Sequence, residues 1–598
     1  MSQPHPRPLL TRPSWLSLNG EWAFALDPQS LGQPAQDYPE RITVPYPPES
    51  RASGLHREDF CQTVWYRREV ALPGDWAPGR TLLHFGAVDY RARVWANGQF
   101  LGEHTGGHTP FSFDVTEQAA SGSLTLTVRA DDDPFAMDQP RGKQDWRREP
   151  HNIWYPRTTG IWQTVWLERV PDSYLRTLEL LPDLERWGFT LRAALAGTPL
   201  EGAHLRLRLS VEGRTLSDDT YGLQGSELGR VVLLPDGGID SIRGELLWSP
   251  ERPTLIDVRA ELLGADGAVL DTVEGYTAMR SVRVEDGQFL LNGSPCPLRL
   301  VLDQGYWPDS LMTATDDELR RDVELTKQLG FNGARKHQKI EDPRYLYWAD
   351  RLGLLVWEEM PSAYALSDAS VRALTHEWLA AIERDRAHPC IVAWVPLNES
   401  WGVPDLPVSP RARHLLDALY HLTKAADPSR PAIGNDGWEH GATDILSVHD
   451  YTDSPERILA RYGSPAALAE TLRAGRPGNR QLLLDPARNT GQPAMLTEFG
   501  GIAFTPNATD GWGYSRARSA EDFVARYEGL LAAVHACEPL KGFCYTQLTD
   551  TFQEMNGLLD ERRAFKGDPE RLRRATTGER RSPQPDTPEG AVVPIKTA

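Results

Sequence analysis

Long hydrophobic runs are missing from this chain of 598 residues. No stretch approaches the roughly 20 apolar residues that a membrane-crossing helix needs. The opening Met1-Ser2-Gln3-Pro4-His5-Pro6 has no apolar segment of the signal-peptide kind. A cytoplasmic protein with no membrane partner is therefore expected. Basic charge is also short: 64 Lys and Arg against 83 Asp and Glu leave a net charge of −19. That balance disfavours nucleic acid and anionic lipid, which both need a positive surface. Cysteine is scarce, with Cys61, Cys296, Cys390, Cys537 and Cys544 odd in number and scattered. They read as free thiols in a reducing compartment, not as a disulfide framework. Several chemical signatures are absent as well. There is no His-Glu-x-x-His, no paired Cys-x-x-Cys, no calcium loop, no phosphate-binding glycine loop and no Gly-x-Ser-x-Gly elbow. Metal, nucleotide and serine-nucleophile chemistry lose their usual carriers, and no cofactor or metal is expected.

Tryptophan and tyrosine are plentiful, at 19 and 18. Most suit strand cores, and a minority suit stacking on the apolar faces of sugar rings. The length calls for several domains, because single cores rarely grow past about 250–300 residues. Residues 12–170 read as all-β, with strand-like runs at 63–70, 81–85 and 92–96 separated by turn signals such as Asn97-Gly98. A jelly-roll β-sandwich is expected there. Residues 171–284 alternate again, in a segment the size of one immunoglobulin-like sandwich. From 285 the pattern changes to alternating strand and helix. Thr315 to Glu318 forms a capping box, Asp342-Pro343 opens a second helix, and Gly353 closes it. Candidate strands at 297–302, 331–335, 354–357, 391–395, 431–433, 445–448, 494–496 and 542–545 predict a (β/α)8 barrel over 285–565. Beyond 566 the apolar pattern ends, and a disordered tail is expected.

Two strands run into carboxylates. The unbroken apolar 391–395 leads to Asn398-Glu399, followed by Ser400 and Trp401, and 494–496 leads to Glu498. Barrel enzymes keep their chemistry at the carboxyl ends of the strands. Two carboxyls suffice to hydrolyse a glycosidic bond, one as proton donor and the other as nucleophile or as base toward water. Taken singly, each glutamate fits a helix-start or ion-pair role better than catalysis; the pair makes the stronger case. Glu498 is the better nucleophile and Glu399 the better acid/base, although sequence alone does not order the two roles.

At these residues the chain resembles the family 2 glycoside hydrolases, which include β-galactosidases, β-glucuronidases and β-mannosidases. The resemblance covers about 12–560. Its signals are the segments 18–22, 94–98, 102–111 and 160–166 in the first part, and 397–400, 497–500, 545–550 and 556–558 in the barrel. It implies a retaining exo-glycosidase acting on a carbohydrate substrate, with Glu399 as acid/base and Glu498 as nucleophile. Asn398 would bind the sugar 2-hydroxyl, and Tyr451, after His449-Asp450, would contact the nucleophile. Asp303 and Gln304 would bind sugar hydroxyls, Arg335 would hold the nucleophile ionised, and Trp401 would serve as a platform. The family's usual segment after strand two departs here to Arg335-Lys336-His337-Gln338-Lys339-Ile340, which keeps the arginine and, in a shifted place, His337. Tyr545 stands where a tryptophan is common. The sequence has no Asn-x-Lys, the glucuronidase signature for a substrate carboxylate. A β-galactosidase-like enzyme is thus the default, with β-galactofuranosidase, α-arabinosidase, β-mannosidase, β-glucuronidase or a non-catalytic carbohydrate-binding protein as alternatives. Exposed sheet faces on the β-domains would suit a homo-oligomer.

Overall fold

The computed structural model describes residues 5–579, apart from 28–36, 75, 77, 236–242, 489–490 and 506–510. The first part is a two-sheet sandwich. Its strand Arg91–Ala96 buries Ala92, Val94 and Ala96 on one face. It then reverses through Asn97 and Gly98, both at positive φ (50° and 80°), into Gln99–Thr105, as a two-residue hairpin turn requires. A six-stranded sheet (Glu40–Val44, Gly20–Leu26, Thr63–Ala71, Ser123–Asp131, Arg91–Ala96, Gln99–Thr105) accompanies a four-stranded one (Trp15–Ser17, Val165–Val170, Arg80–Phe85, Phe111–Asp114). Trp22, Phe24, Tyr66, Leu83, Phe85 and Val128 belong to their shared core. A second pair of sheets has three strands (Ser173–Asp183, Gly188–Gly197, Glu227–Leu233) and four strands (Arg214–Gly222, His204–Val211, Ile256–Leu263, Val269–Thr277). Its separate core includes Leu191, Leu207 and Val258.

The third part is the barrel. Seven parallel strands run side by side in the order Ile391–Val395, Leu355–Glu359, Gly333–Lys336, Leu298–Asp303, Leu540–Thr546, Ala494–Gly500 and Leu446–His449. The expected fifth strand is not a regular one. Residues 431–436 close the gap through isolated parallel bridges, Trp394 to Ala432 and Asn398 to Asp436. On the other side the Asp444 and His449 amides donate to the Ala432 and Gly437 carbonyls (2.9 and 3.3 Å). Pro431 lacks a donor, and Gly437 at φ 103° turns the chain, so a continuous ladder does not form. Helix Asp316–Gln328 starts at the Thr315–Glu318 capping box. Helix Pro343–Leu352 starts at Asp342 and stops at Gly353, which takes φ 74°.

The expected tail needs correction at its start. Lys566 is buried and ion-pairs with Asp550 at 2.7 Å, and Pro569–Thr577 is a helix capped by Asp568. Leu572 reaches the barrel core, and Thr576 Oγ1 meets the Tyr527 hydroxyl at 2.7 Å. Proline at the first helical position and one apolar anchor suffice here, where the polar composition had pointed to disorder. The remainder of the expected tail, 580–598, lies outside the described residues.

Candidate active site

Glu399 lies in the loop after the fourth barrel strand, Ile391–Val395. Glu399 and Ser400 both adopt the left-handed conformation, at φ 52° and 58°, a costly state for non-glycine residues that clusters at functional sites. Their surroundings impose it. The Glu399 amide donates to the Asp436 carbonyl (2.9 Å), the Ser400 amide to Asn435 Oδ1 (2.9 Å), and Ser400 Oγ to Glu439 Oε2 (2.6 Å). Glu498 comes from inside strand Ala494–Gly500, where it pairs with His449 of the next strand. Paired residues on parallel neighbours share a face, so both point into the barrel. One carboxylate oxygen of Glu399, one of Glu498 and a ring nitrogen of His449 lie within 4.8 Å of one another.

Arg335 organises the floor. It is wholly buried, with NH1 2.9 Å from Glu498 Oε1 and 2.8 Å from Asp436 Oδ2. Its Nε pairs with Glu359 Oε1, and NH2 donates to Asn398 Oδ1 at 2.7 Å. Burial opposes its charge, but Asp436, Glu359 and Glu498 outweigh burial and keep it protonated. Asn398, committed to Arg335 through its oxygen, is left with its NH2 as the donor toward a ligand. His449 sits between the two glutamates, Nδ1 2.8 Å from Glu399 Oε1 and Nε2 3.3 and 3.5 Å from Asp436 Oδ2 and Glu498 Oε1. Burial lowers its pKa, yet Glu498, Asp436 and Glu399 together push it up to about 10, so the ring is an imidazolium at neutral pH. Burial would raise Glu399, but His449, Lys143 and Arg335 hold it below the ordinary glutamate range. Burial and neighbouring Asp436 leave Glu359 at about 7 despite Arg335. The Tyr451 hydroxyl donates to Glu498 Oε2, and the Tyr451 ring stacks on Tyr514 with centroids 3.3 Å apart.

His337 is buried beside this cluster with Nδ1 3.0 Å from Glu359 Oε2, and burial holds it neutral. Trp401 is half-buried at the barrel mouth, its ring 5.5 Å from Trp154 and 5.3 Å from Tyr364. Glu399, Glu498, Asn398, Arg335, His337, Tyr451 and Trp401 are thus brought together. Asp303 and Tyr545 are not. Asp303 pairs in register with Lys336, one residue past the inward Arg335, and so lies on the outer face of the barrel. Both its oxygens are occupied, by the Gly305 amide and by Lys336 Nζ, each at 2.9 Å. Lys336 also meets Glu341 at 2.8 Å, and Lys339 meets it at 2.9 Å. The unusual segment after strand two is therefore a buried ion cluster that holds its own loop. Tyr545 pairs with Val301, on the same outer face, and its ring lies 4.8 Å from Tyr527 of helix Ala520–Ala536. Its neighbour Thr546 faces the site, with Oγ1 3.3 Å from the Tyr451 hydroxyl. Gln304 is buried and donates to Gln547 Oε1 at 2.8 Å.

Sequence reasoning missed Asp436, His449 and Glu359 as site residues. Each follows a short apolar run, which was their available signal. It also missed Trp154, which the first sandwich contributes, its ring 5.5 Å from that of Trp401. The spacing of Glu399, His449 and Glu498 is one at which such groups could hold a cation. Arg335 lies 2.9 Å from Glu498 Oε1, so that oxygen already has a cationic partner.

An eightfold barrel behind two β-sandwiches, with paired carboxyls at its mouth, defines a class of carbohydrate-active proteins. Within that class the comparisons are specific. The model "Glycosyl hydrolases family 2, sugar binding domain" matches residues 37–171, and "Glycosyl hydrolases family 2, TIM barrel domain" matches 282–506. This chain belongs to glycoside hydrolase family 2. It is 29% identical over 351 residues to a β-galactosidase of Thermoanaerobacter pseudethanolicus, covering 57% of this chain and 46% of that one. It is 28% identical over 378 residues to a putative β-glucuronidase of Formosa agariphila, covering 61% and 44%. The chain thus spans less than half the length of these curated relatives. A family 2 β-galacturonidase of Eisenbergiella tayi bound to galacturonate shares the fold, with a TM-score of 0.74 over 97% of this chain and 99% of that one at 21% identity.

Proposed function

We propose that this protein is a retaining exo-β-glycosidase, with Glu498 as nucleophile, Glu399 as acid/base and a β-galactoside as default substrate. The observation that carries the reading is the approach of the two carboxyls to within 4.8 Å. Retaining enzymes need about 5–5.5 Å, whereas inverting ones hold about 6.5–9.5 Å to admit a water. Roles follow from the neighbours. Arg335 and Tyr451 both contact Glu498, which fixes its oxygens for attack. Glu399 instead accepts a hydrogen bond from the protonated His449 ring at 2.8 Å, whose proton it takes up before it gives one to the leaving oxygen. Glu399 protonates the leaving oxygen while Glu498 attacks the anomeric carbon. Glu399 then takes a proton from the water that releases the sugar from Glu498.

The glycone is assigned as galactose-like because the curated relatives include β-galactosidases and the chain has no Asn-x-Lys. The cysteines, all free, suit a reducing compartment such as the cytoplasm. No helix among the described residues is long and apolar enough to cross a membrane. The test is release of nitrophenol from β-galactoside, β-glucuronide, β-mannoside, β-glucoside, β-galactofuranoside and α-arabinoside, with Glu498→Ala alongside. Turnover by the wild type, lost in the folded variant, supports the reading. A fully active Glu498→Ala refutes it, and tight sugar binding without any hydrolysis would mark a carbohydrate-binding protein instead.

A further inference from the structure

One cation at the barrel mouth makes no hydrogen bond or ion pair among the described residues. Lys143 belongs to the first sandwich, in the connection between strands Ser123–Asp131 and Gly160–Ile161. That connection is fastened to the barrel mouth. The Arg141 and Gly142 amides donate to the Ser362 carbonyl (3.1 Å each), and the Tyr364 hydroxyl donates to the Gly142 carbonyl (2.7 Å). Gly142 takes φ 58°, and a β-carbon there would overlap the Gln338 carbonyl, so only glycine lets the strap lie this close. The Lys143 carbonyl accepts from the Tyr155 amide at 2.8 Å. The backbone of Lys143 is therefore fixed on both sides.

Lys143 is 5% exposed, and its Nζ lies 5.7 Å from the centre of the Tyr155 ring. That ammonium makes no hydrogen bond or ion pair to any described residue. The other buried lysines of this region differ: Lys336 and Lys339 are each paired to Glu341. Burial keeps the Lys143 pKa below the ordinary lysine value, although the charges of Glu554, Glu498, Glu399 and Glu359 raise it. Lys143 as a residue is buried, yet its three ammonium donors meet no acceptor among the described residues. It is retained most simply where a ligand brings the acceptor, because a contact completed only in the complex can serve the reaction.

We infer that Lys143 is a glycone-binding residue, whose ammonium donates to a ring hydroxyl of a neutral sugar held between Glu399 and Glu498. Neutral follows the glycone reading above, because the chain has no Asn-x-Lys for a sugar carboxylate. A ring hydroxyl can accept from the ammonium. The first sandwich thereby completes the sugar site. The inference rests on the glycosidase reading above and adds to it a residue and a charge class for the glycone.

The test uses the full chain and its Lys143→Met and Lys143→Arg variants. Assays are kcat/KM on the best aryl glycoside of the panel, on its monodeoxy analogues and on the matching aryl hexuronide, with Tm for each protein. A charge-assisted hydrogen bond lost from the complex lowers kcat/KM about 10- to 100-fold. That loss is expected in Lys143→Met with Tm unchanged or raised, since the variant no longer buries an unpaired cation. One monodeoxy analogue, lacking the contacted hydroxyl, should be turned over equally by wild type and Lys143→Met. The result overturns the assignment if Lys143→Met matches wild type on the parent glycoside, or if its activity falls only in step with Tm. Wild-type preference for the hexuronide overturns the neutral-sugar assignment. Silence of the wild type on every glycoside overturns the glycosidase reading and this inference together. Wild-type activity with an unaffected variant overturns this inference alone.

Discussion

His449 offers the sharpest perturbation, because one ring touches three carboxylates. Replacing it by glutamine keeps a donor and removes the charge. The imidazole stands at about 10 against an ordinary 6.5, which corresponds to on the order of 5 kcal/mol of preference for the charged ring. This is an upper bound, since Glu399, Glu498 and Asp436 share the effect. The sign follows from linkage: a pKa raised on folding contributes stability that is fully present below pH 6.5 and is lost as pH rises through about 10. The Tm gap between wild type and His449→Gln should therefore be widest near pH 6 and close toward pH 10. Kinetics should move with it. In the wild type the proton shared by Glu399 and His449 is retained well above neutrality. In the variant Glu399 must hold that proton alone, so the alkaline limb of the kcat/KM profile should shift to lower pH. The rate at pH 6 should fall about 10- to 100-fold through loss of a charged hydrogen bond. The assays are thermal melts and pH–rate profiles from pH 5 to 10. An unmoved alkaline limb together with a pH-independent Tm gap would refute the imidazolium assignment.

Three further outcomes follow from the same geometry. Glu399→Ala should spare aryl glycosides with activated leaving groups far more than those with poor ones, and azide should restore rate; equal losses with no azide response would count against the acid/base role. Gly142→Ala forces a side chain against the Gln338 carbonyl at φ 58°, and should cost about 1–3 kcal/mol of stability by denaturant melting and lower kcat/KM by moving Lys143. Trp401→Ala removes a ring packed on Trp154 and Tyr364 at the mouth; kcat/KM for aryl aglycones should fall severalfold more than that for alkyl ones, which parallel assays would show.

Much of the architecture was legible because it rests on local rules. The capping box at Thr315 and Glu318, the Asp342-Pro343 start, the left-handed Gly353 and the Asn97-Gly98 hairpin each depend on a few neighbouring residues. Apolar runs of the right length located seven barrel strands, and the irregular 431–436 defeated that rule because bridges at both edges, not its own periodicity, define it. Glu399 and Glu498 were legible because each follows such a run.

The order of the parts and the pair of carboxyls can be read along the chain; which neighbours face the carboxyls depends on how the strands and domains pack. Being last on a strand does not say which way a side chain points, since faces alternate along it. Register with Lys336 and Val301 turned Asp303 and Tyr545 outward, while Thr546 came in. His449 acquired its charge only when three carboxylates from different strands closed on it. Lys143 and Tyr155 stand more than 240 residues from Glu399 and Glu498, and no local pattern connects them; the fastening of Arg141 and Gly142 to Ser362 and Tyr364 brings this part of the first sandwich to the barrel mouth.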